Sequence, residues 1–258
     1  MRTLFVNMVN CNPDNISYID IKEDTNVSCT TLDVFSQYAF IVIMLCLFDT
    51  LVKPVITYGG EVWGVSRKSL DSADKLYLQY VRNILNIKHS TSKLITYGEC
   101  GKVPISNSIK QSLLCFLNRI HHKPSDFLVK KVYLELVKLH ELGFNTWVTS
   151  GYKLFNDCGL NFDSNLDSFK KKCKKILNDR FINDWITELR NVEKNPIIRT
   201  YCKIKNSFIM EPYLYKVKNV KYRNAINKLR SSSHHLEIER GQHCKPSRPL
   251  EDYVVDVR

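Results

Sequence analysis

Histidines and carboxylates standing side by side are the first candidates for chemistry in this sequence. His121 with His122, His234 with His235, and His243 with Cys244 are direct neighbours. Zinc prefers ligand pairs spaced by two to four residues, and adjacent side chains on a helix do not face one another. None of these pairs is therefore expected to hold a metal. The acidic pairs Glu23–Asp24 and Glu251–Asp252 lack the apolar strand–turn setting that would hold Mg²⁺ ions, and they read as solvated surface charge. There is no G-x-S-x-G nucleophile and no P-loop. No cofactor is expected.

The stretch that carries more chemistry is basic and aromatic. Residues 199–230 run "RTYCKIKNSFIMEPYLYKVKNVKYRNAINKLR", with lysines and arginines interleaved among Tyr201, Phe208, Tyr213, Tyr215 and Tyr222. Cations there can neutralise phosphates and rings can stack on bases. The same pattern also fits aromatics in a core with lysines as its solvated rim, and the sequence leaves both readings open. The charge distribution points the same way. Against a net charge of +12, residues 170–258 carry +11, residues 50–169 carry +5 and residues 1–49 carry −4. A field of that kind favours a polyanion, although a lysine-rich solvated surface would look alike.

The elements that must position these residues are nearly all helical. The 258 residues are 44% hydrophobic and 25% charged, ordinary for a folded protein with a real core. Nine cysteines are scattered singly with no C-x-x-C, which suggests reduced thiols in an intracellular setting. The N-terminus has no sustained apolar core and is not read as a signal peptide. The wholly apolar run 38–48, "YAFIVIMLCLF", is about half of a membrane span and is expected as a buried helix, opened by Asp33 and broken by Pro54. Gly59 and Gly60 supply a turn. Ser69 or Asp71 is expected to cap a helix whose stripe is Ala73, Leu76, Tyr80, Ile84 and Ile87. "YGECGKVP" reads as a loop, followed by a helix from Ser106. A helix capped by Ser125 or Asp126 ends at Gly143, and a short one follows. A long helix opens at Asp163 or Ser164 with Phe169, Cys173, Ile176, Leu177, Phe181, Trp185, Ile186 and Leu189 as its inner face. A helix from Pro196 to about Phe208 and a basic helix over 219–230 complete the pattern. No internal repeat and no Rossmann-like unit is present.

Several stretches then resemble a known family. "LFDTLVKPVITYGGEVWG", residues 47–64, is similar to the segment that follows the polymerase palm in reverse transcriptases of non-LTR, LINE-type, jockey-like retrotransposons. Residues 70–105 resemble the next thumb helix and its loop, with "S-T-x-x-x-x-Y-x-E-x-G-x-x-P" followed from Ser90 to Pro104 apart from one extra residue between Thr91 and Tyr97. "RTYCKIKNSFIMEPYL" and "KNVKYRNAINKLRSSSHHLEIERGQ" resemble the family's "Y-x-x-x-K-x-x-F-x-x-E-x-Y-L" and "R-x-x-x-x-x-R-x-S-x-H-x-L-x-I-E-x-G-R", with one residue more here between the two arginines. Arg223, Arg230, Ser232, His234 or His235, Leu236, Ile238, Glu239 and Gly241 carry the last match, and Gln242 replaces the usual basic residue.

The resemblance implies a thumb-like helical bundle followed by a second, basic helical region. It divides the chain into an irregular arm (1–31), a thumb-like domain (32–123), a basic post-thumb domain (124–240) and a tail (241–258) that stops before the family's zinc knuckle. The F/Y-x-D-D turn of the family's polymerase centre is missing from the sequence, so no polymerase activity is expected from this chain by itself. The expected partner is RNA, DNA or an RNA–DNA hybrid, held without sequence preference. Lys203, Lys205, Lys218, Lys221, Arg223, Lys228 and Arg230 are the candidate phosphate contacts, with Tyr201 and Tyr222 as stacking rings. No membrane partner is expected. The alternative is a helical scaffold without ligand, or a relic whose surface toward the missing palm binds another protein. The basic run "KKKCKK", 170–175, suits nuclear import or a lysine-rich helix face equally, so nuclear and cytoplasmic locations both stay open.

Overall fold

The computed structural model describes residues 40–191 and 198–232. Expectations for the N-terminal arm, the Asp33 cap, the histidine pair at 234–235 and the tail lie outside them. The fold is mainly α: among the described residues there is no strand, only an isolated antiparallel bridge between Cys100 and Met210.

The first helix, α1, covers Phe40–Thr57. Pro54 does not break it. A π-turn over Phe48–Val52 widens the coil, and Pro54 then falls in the first turn of the α-helical segment Lys53–Thr57, where a missing N–H costs little. One stripe of α1 is buried, at Ile41, Leu45 and Phe48. The opposite side is open. The expected buried helix is therefore buried along one stripe only.

Gly59, at φ 64°, starts the short α2, Gly60–Trp63. A side chain at Gly64 would place Cβ 2.6 Å from Ile109 Cγ2, so the glycine lets this turn press on the helix carrying Ile109. The third helix, α3 (Arg67–Leu85), is capped by Ser66, whose side chain accepts from the Ser69 N–H. Ser66 thus does what was expected of Ser69 or Asp71. Its inner face is Ala73, Tyr77, Leu78, Val81 and Leu85. Of the expected stripe Ala73 and Ile87 are buried, Tyr80 and Ile84 are partly buried against the same cluster, and Leu76 is half exposed, with Tyr77 buried beside it.

The expected loop at "YGEC" is the end of a helix. Ser92 caps α4 (Lys93–Cys100) by accepting from the Leu94 N–H, and Gly101 ends it at φ 57°. Every residue from Leu94 to Cys100 is buried. Gly98 is needed there because a Cβ would sit 2.7 Å from both the Trp185 ring and the Tyr201 hydroxyl. Asp74 reaches across to the next helix, α5 (Ile105–His121), and accepts from the Ser106 N–H at 2.9 Å and its hydroxyl at 2.7 Å.

Beyond it come α6 (Leu128–Glu141), α7 (Trp147–Asp157) and the long α8 (Leu166–Arg190). Thr146 and Thr149 form a capping box on α7, and Asn165 caps α8 in place of Asp163 or Ser164. No side chain caps α6; Phe127 holds that position, not Ser125 or Asp126. Of the expected inner face of α8, Phe169, Cys173, Leu177, Trp185 and Leu189 are buried, and Ile176, Phe181 and Ile186 are half-buried at its borders. Three short helices follow: α9 (Arg199–Ile204), α10 (Tyr213–Lys216) and α11 (Val220–Arg230).

Three apolar clusters hold these helices. One joins α1, α3 and α5 and includes Leu214 from α10. A second joins α5 to α6, α7 and the start of α8. A third packs Leu94 and Ile95 of α4 on Trp185, Leu189, Ile198 and Tyr201. α5 contributes to the first two clusters, and Leu214 of α10 returns to the first.

Candidate nucleic-acid interface

The C-terminal helices are fastened by a buried polar cluster. Glu99 of α4, 3% exposed at its side chain, receives Arg230 Nη2 at 3.0 Å and Arg230 Nε at 3.1 Å to each oxygen. Arg230 Nη2 also lies 3.2 Å from Glu211. Lys205 is buried, donates to the Ile209 carbonyl at 2.6 Å and pairs with Glu211. The Tyr213 hydroxyl sits between Glu99 and Asn227, and Asn227 donates to the Leu85 carbonyl at 2.8 Å. The Glu211 N–H closes the ring by donating to the Glu99 carbonyl at 3.0 Å. Burial, and next the negative charge of Glu99, push the Tyr201 and Tyr213 hydroxyls far above the usual tyrosine range. Both stay neutral.

The candidate contacts consequently divide into two sets. Tyr201, Lys205 and Arg223 are 1%, 2% and 2% exposed, and the Arg230 side chain is only 13% exposed. Arg223 donates to the Val217 carbonyl at 3.3 Å. The structure places these four in the interior and not on the open surface expected of ligand contacts: Lys205 and Arg230 are paired with carboxylates, Arg223 is buried with one nitrogen on a backbone carbonyl, and Tyr201 is covered. Lys203, Lys218, Lys221, Tyr222 and Lys228 are exposed.

The division follows from helix geometry on α11. Asn219 caps it by accepting from the Lys221 N–H at 2.9 Å. Residues 223, 227 and 230 recur at four and three and form the inner face; Arg223 and Asn227 are buried. Lys221, Ala225 and Lys228 recur at the same steps on the outer face, beside Tyr222 and Leu229. Lys221 and Lys228 are therefore about 10 Å apart along the axis, roughly three phosphate steps of one strand. Tyr222, 68% exposed, offers an open ring next to them.

A second exposed basic run lies on α8, where Lys170, Lys171, Lys172, Lys174 and Lys175 surround the buried Cys173. Elsewhere, a cleft of about 440 Å³ between the starts of α3 and α5 and the body of α7 balances Asp71, Asp74 and Asp157 against Arg67, Lys110 and Lys153. The Asp74 carboxyl there is raised by burial, but its oxygens are already spent on Ser106. Among the described residues no three His, Cys, Asp or Glu side chains gather as metal ligands. His121 stacks on Phe162 at 3.7 Å, and His122 Nδ1 lies 2.9 Å from the Asn118 carbonyl.

The class defined by this architecture is a mainly α, basic helical protein. No family model matches the chain, and no curated protein or solved structure matches it either. Glu99 and Glu211 as partners of the basic residues, and Tyr213 and Asn227 beside them, are not foreseen from the sequence; a Glu inside "YGECG" and another inside "FIMEPYL" are the signals it offers.

Proposed function

We propose that this chain is a nucleic-acid grip related to the thumb and post-thumb region of a non-LTR reverse transcriptase. It holds template RNA or a template–primer duplex by its backbone and performs no polymerase step itself. The observation that carries the reading is α11, whose inner face is pinned by Arg223, Asn227 and Arg230 while Lys221, Tyr222 and Lys228 face outward. A pinned helix presents its cations without first having to order them, which favours binding. Lys203 and Lys218 extend the surface, and the α8 lysines offer further anchorage. The resemblance of residues 47–64, 70–105 and 199–242 supplies the choice of family.

The test is fluorescence anisotropy with labelled RNA, DNA and RNA–DNA hybrid over a salt series. Four phosphate contacts give a slope of log K against log salt of about −3 to −4. Lys221→Glu with Lys228→Glu flattens that slope by about 2 and weakens binding to all sequences alike. A slope near zero for a folded, helical sample refutes the reading.

A second reading rests on a different observation. Leu47, Leu51, Val55, Tyr58 and Val62 form an exposed apolar stripe along α1 and α2, with Tyr58 86% exposed. Such a stripe suits a protein partner and favours a helical scaffold in which nucleic acid plays no part. Salt-insensitive capture of a protein, with no anisotropy change on nucleic acid, selects it.

A further inference from the structure

We propose that Cys115 of α5 and Cys173 of α8 form a two-thiol site that hydrogen peroxide oxidises to a disulfide, with Cys115 as the attacking sulfur and Cys173 as the resolving one. The two helices run antiparallel and are tied at three levels. The Asn107 amide donates to the Leu177 carbonyl at 3.1 Å, and the Gln111 amide to the Lys170 carbonyl at 3.0 Å. Asn118 exchanges hydrogen bonds with the Asp163 backbone at 2.8 and 3.0 Å. Cys115 falls between Gln111 and Asn118, and Cys173 between Lys170 and Leu177. Helical side chains lean toward their own N-terminus, so both cysteines lean toward the Gln111–Lys170 tie and hence toward each other. Their sulfurs meet there in a hydrogen bond.

The two sulfurs differ in access and in charge. Cys173 is fully buried in the apolar cluster with Phe169 and Leu177, whereas Cys115 is half-buried against the same cluster. The hydrogen bond with Cys173 holds the Cys115 thiol below the usual cysteine range; burial opposes this, and the charges of Lys170 and Arg119 add to it. The same hydrogen bond, and then burial, raises Cys173. The shared proton therefore stays on Cys173, which donates it to the Cys115 sulfur. A reachable thiolate beside a second thiol is the arrangement of a redox-responsive cysteine. Cys100 and Cys158 are buried and pushed up instead, Cys100 to about 12.

The Cys115 thiolate attacks one oxygen of the peroxide. An S–O bond forms, the O–O bond breaks, and the departing hydroxide takes the Cys173 proton to become water. The Cys173 thiolate then attacks the sulfenic sulfur of Cys115. The S–S bond forms, the S–O bond breaks, and a second hydroxide leaves. Two electrons have passed from the two sulfurs to the peroxide, and a thiol reductant returns them. The bond joins α5 to α8 at a position flanked by the exposed Lys172 and Lys174. The site depends on these two helices alone and not on the binding of nucleic acid.

The experiment treats the reduced full chain with a small excess of hydrogen peroxide, blocks the remaining thiols with N-ethylmaleimide, and maps disulfides by proteolysis and mass spectrometry without reduction. Circular dichroism checks that the sample is helical. The leading product expected is a Cys115–Cys173 crosslink within one chain, reversed by dithiothreitol. Cys173→Ser leaves Cys115 as a sulfenic acid that dimedone traps. Should that buried substitution prevent folding, Cys115→Ser, at a half-buried position, abolishes the crosslink and leaves Cys173 a free thiol. Cys158→Ser and Cys202→Ser leave the crosslink in place. A folded chain in which Cys115 stays unoxidised or pairs with another cysteine overturns the proposal. So does a Cys115–Cys173 yield no higher than the urea-unfolded chain gives.

Discussion

Replacing Arg230 with Met would test whether this cation serves the fold or the ligand. Arg230 reaches Glu99 from 131 residues away, with three nitrogen–oxygen distances of 3.0–3.1 Å, and also lies 3.2 Å from Glu211. The Glu99 side chain is 3% exposed. Without Arg230, its carboxylate keeps the neutral hydroxyls of Tyr213 and Tyr201 but no cation bonded to it among the described residues. Removing one partner of a buried ion pair costs about 3–5 kcal/mol. The lower end applies here, because Glu211 is 17% exposed and can be solvated. Against a stability of about 5–15 kcal/mol, that is a large fraction. In urea it lowers the unfolding midpoint by about 1–2 M at an m-value of ~2–3 kcal/mol/M. Met keeps the apolar stem, so the loss reports charge pairing and not volume. Glu99→Gln on the same background removes the stranded charge, and the double variant recovers about 1–3 kcal/mol relative to additivity. The assay is urea unfolding followed by far-UV circular dichroism. A loss below about 1 kcal/mol, or strict additivity, refutes the assignment of Arg230 to the core and returns it to the list of phosphate contacts.

Two further outcomes follow from local geometry. Burial raises the Asp74 carboxyl above its ordinary 3.8 even though Ser106 donates to both oxygens. The folded state thus holds that proton more tightly than the unfolded state, and its stabilising contribution is full below pH 3.8 and lost as pH rises through the folded value. Stability of the native chain relative to Asp74→Asn therefore falls from acid toward neutral pH, and a gap that grows with pH in denaturant titrations contradicts it. Gly101→Ala puts a side chain at φ 57° with Cβ 2.5 Å from the Met210 nitrogen. It costs about 2–4 kcal/mol by strain plus overpacking, and an unchanged thermal midpoint rules this out.

Much of the helical layout could be read directly from the sequence. The inner face of α8 follows from its spacing, and α11 begins and ends within a residue of where the basic run predicts. Helical hydrogen bonds close within four residues, so period and caps carry the information locally. The misreadings have equally local causes. Two glycines disguised α4 as a loop, although Gly98 is there to admit Trp185 and Tyr201. Pro54 looked like a stop because a π-turn leaves no residue signature.

Which face of each helix meets the core was decided elsewhere in the chain. Lys205, Arg223 and Arg230 look like surface cations, since such residues are seldom buried unless paired. Their burial depends on Glu99 and Glu211, on Ile209 and Val217 carbonyls, and on α4 being in place to receive them. Leu128 and Leu142 look like core residues by period and are open because no described element covers that side of α6. The sequence by itself determined a basic, helical chain and the extent of most of its helices, because those depend on neighbours a few residues apart. Only the tertiary structure decided which cations face solvent and which apolar stripe remains to be covered, because each depends on partners that the chain brings together from far along its length.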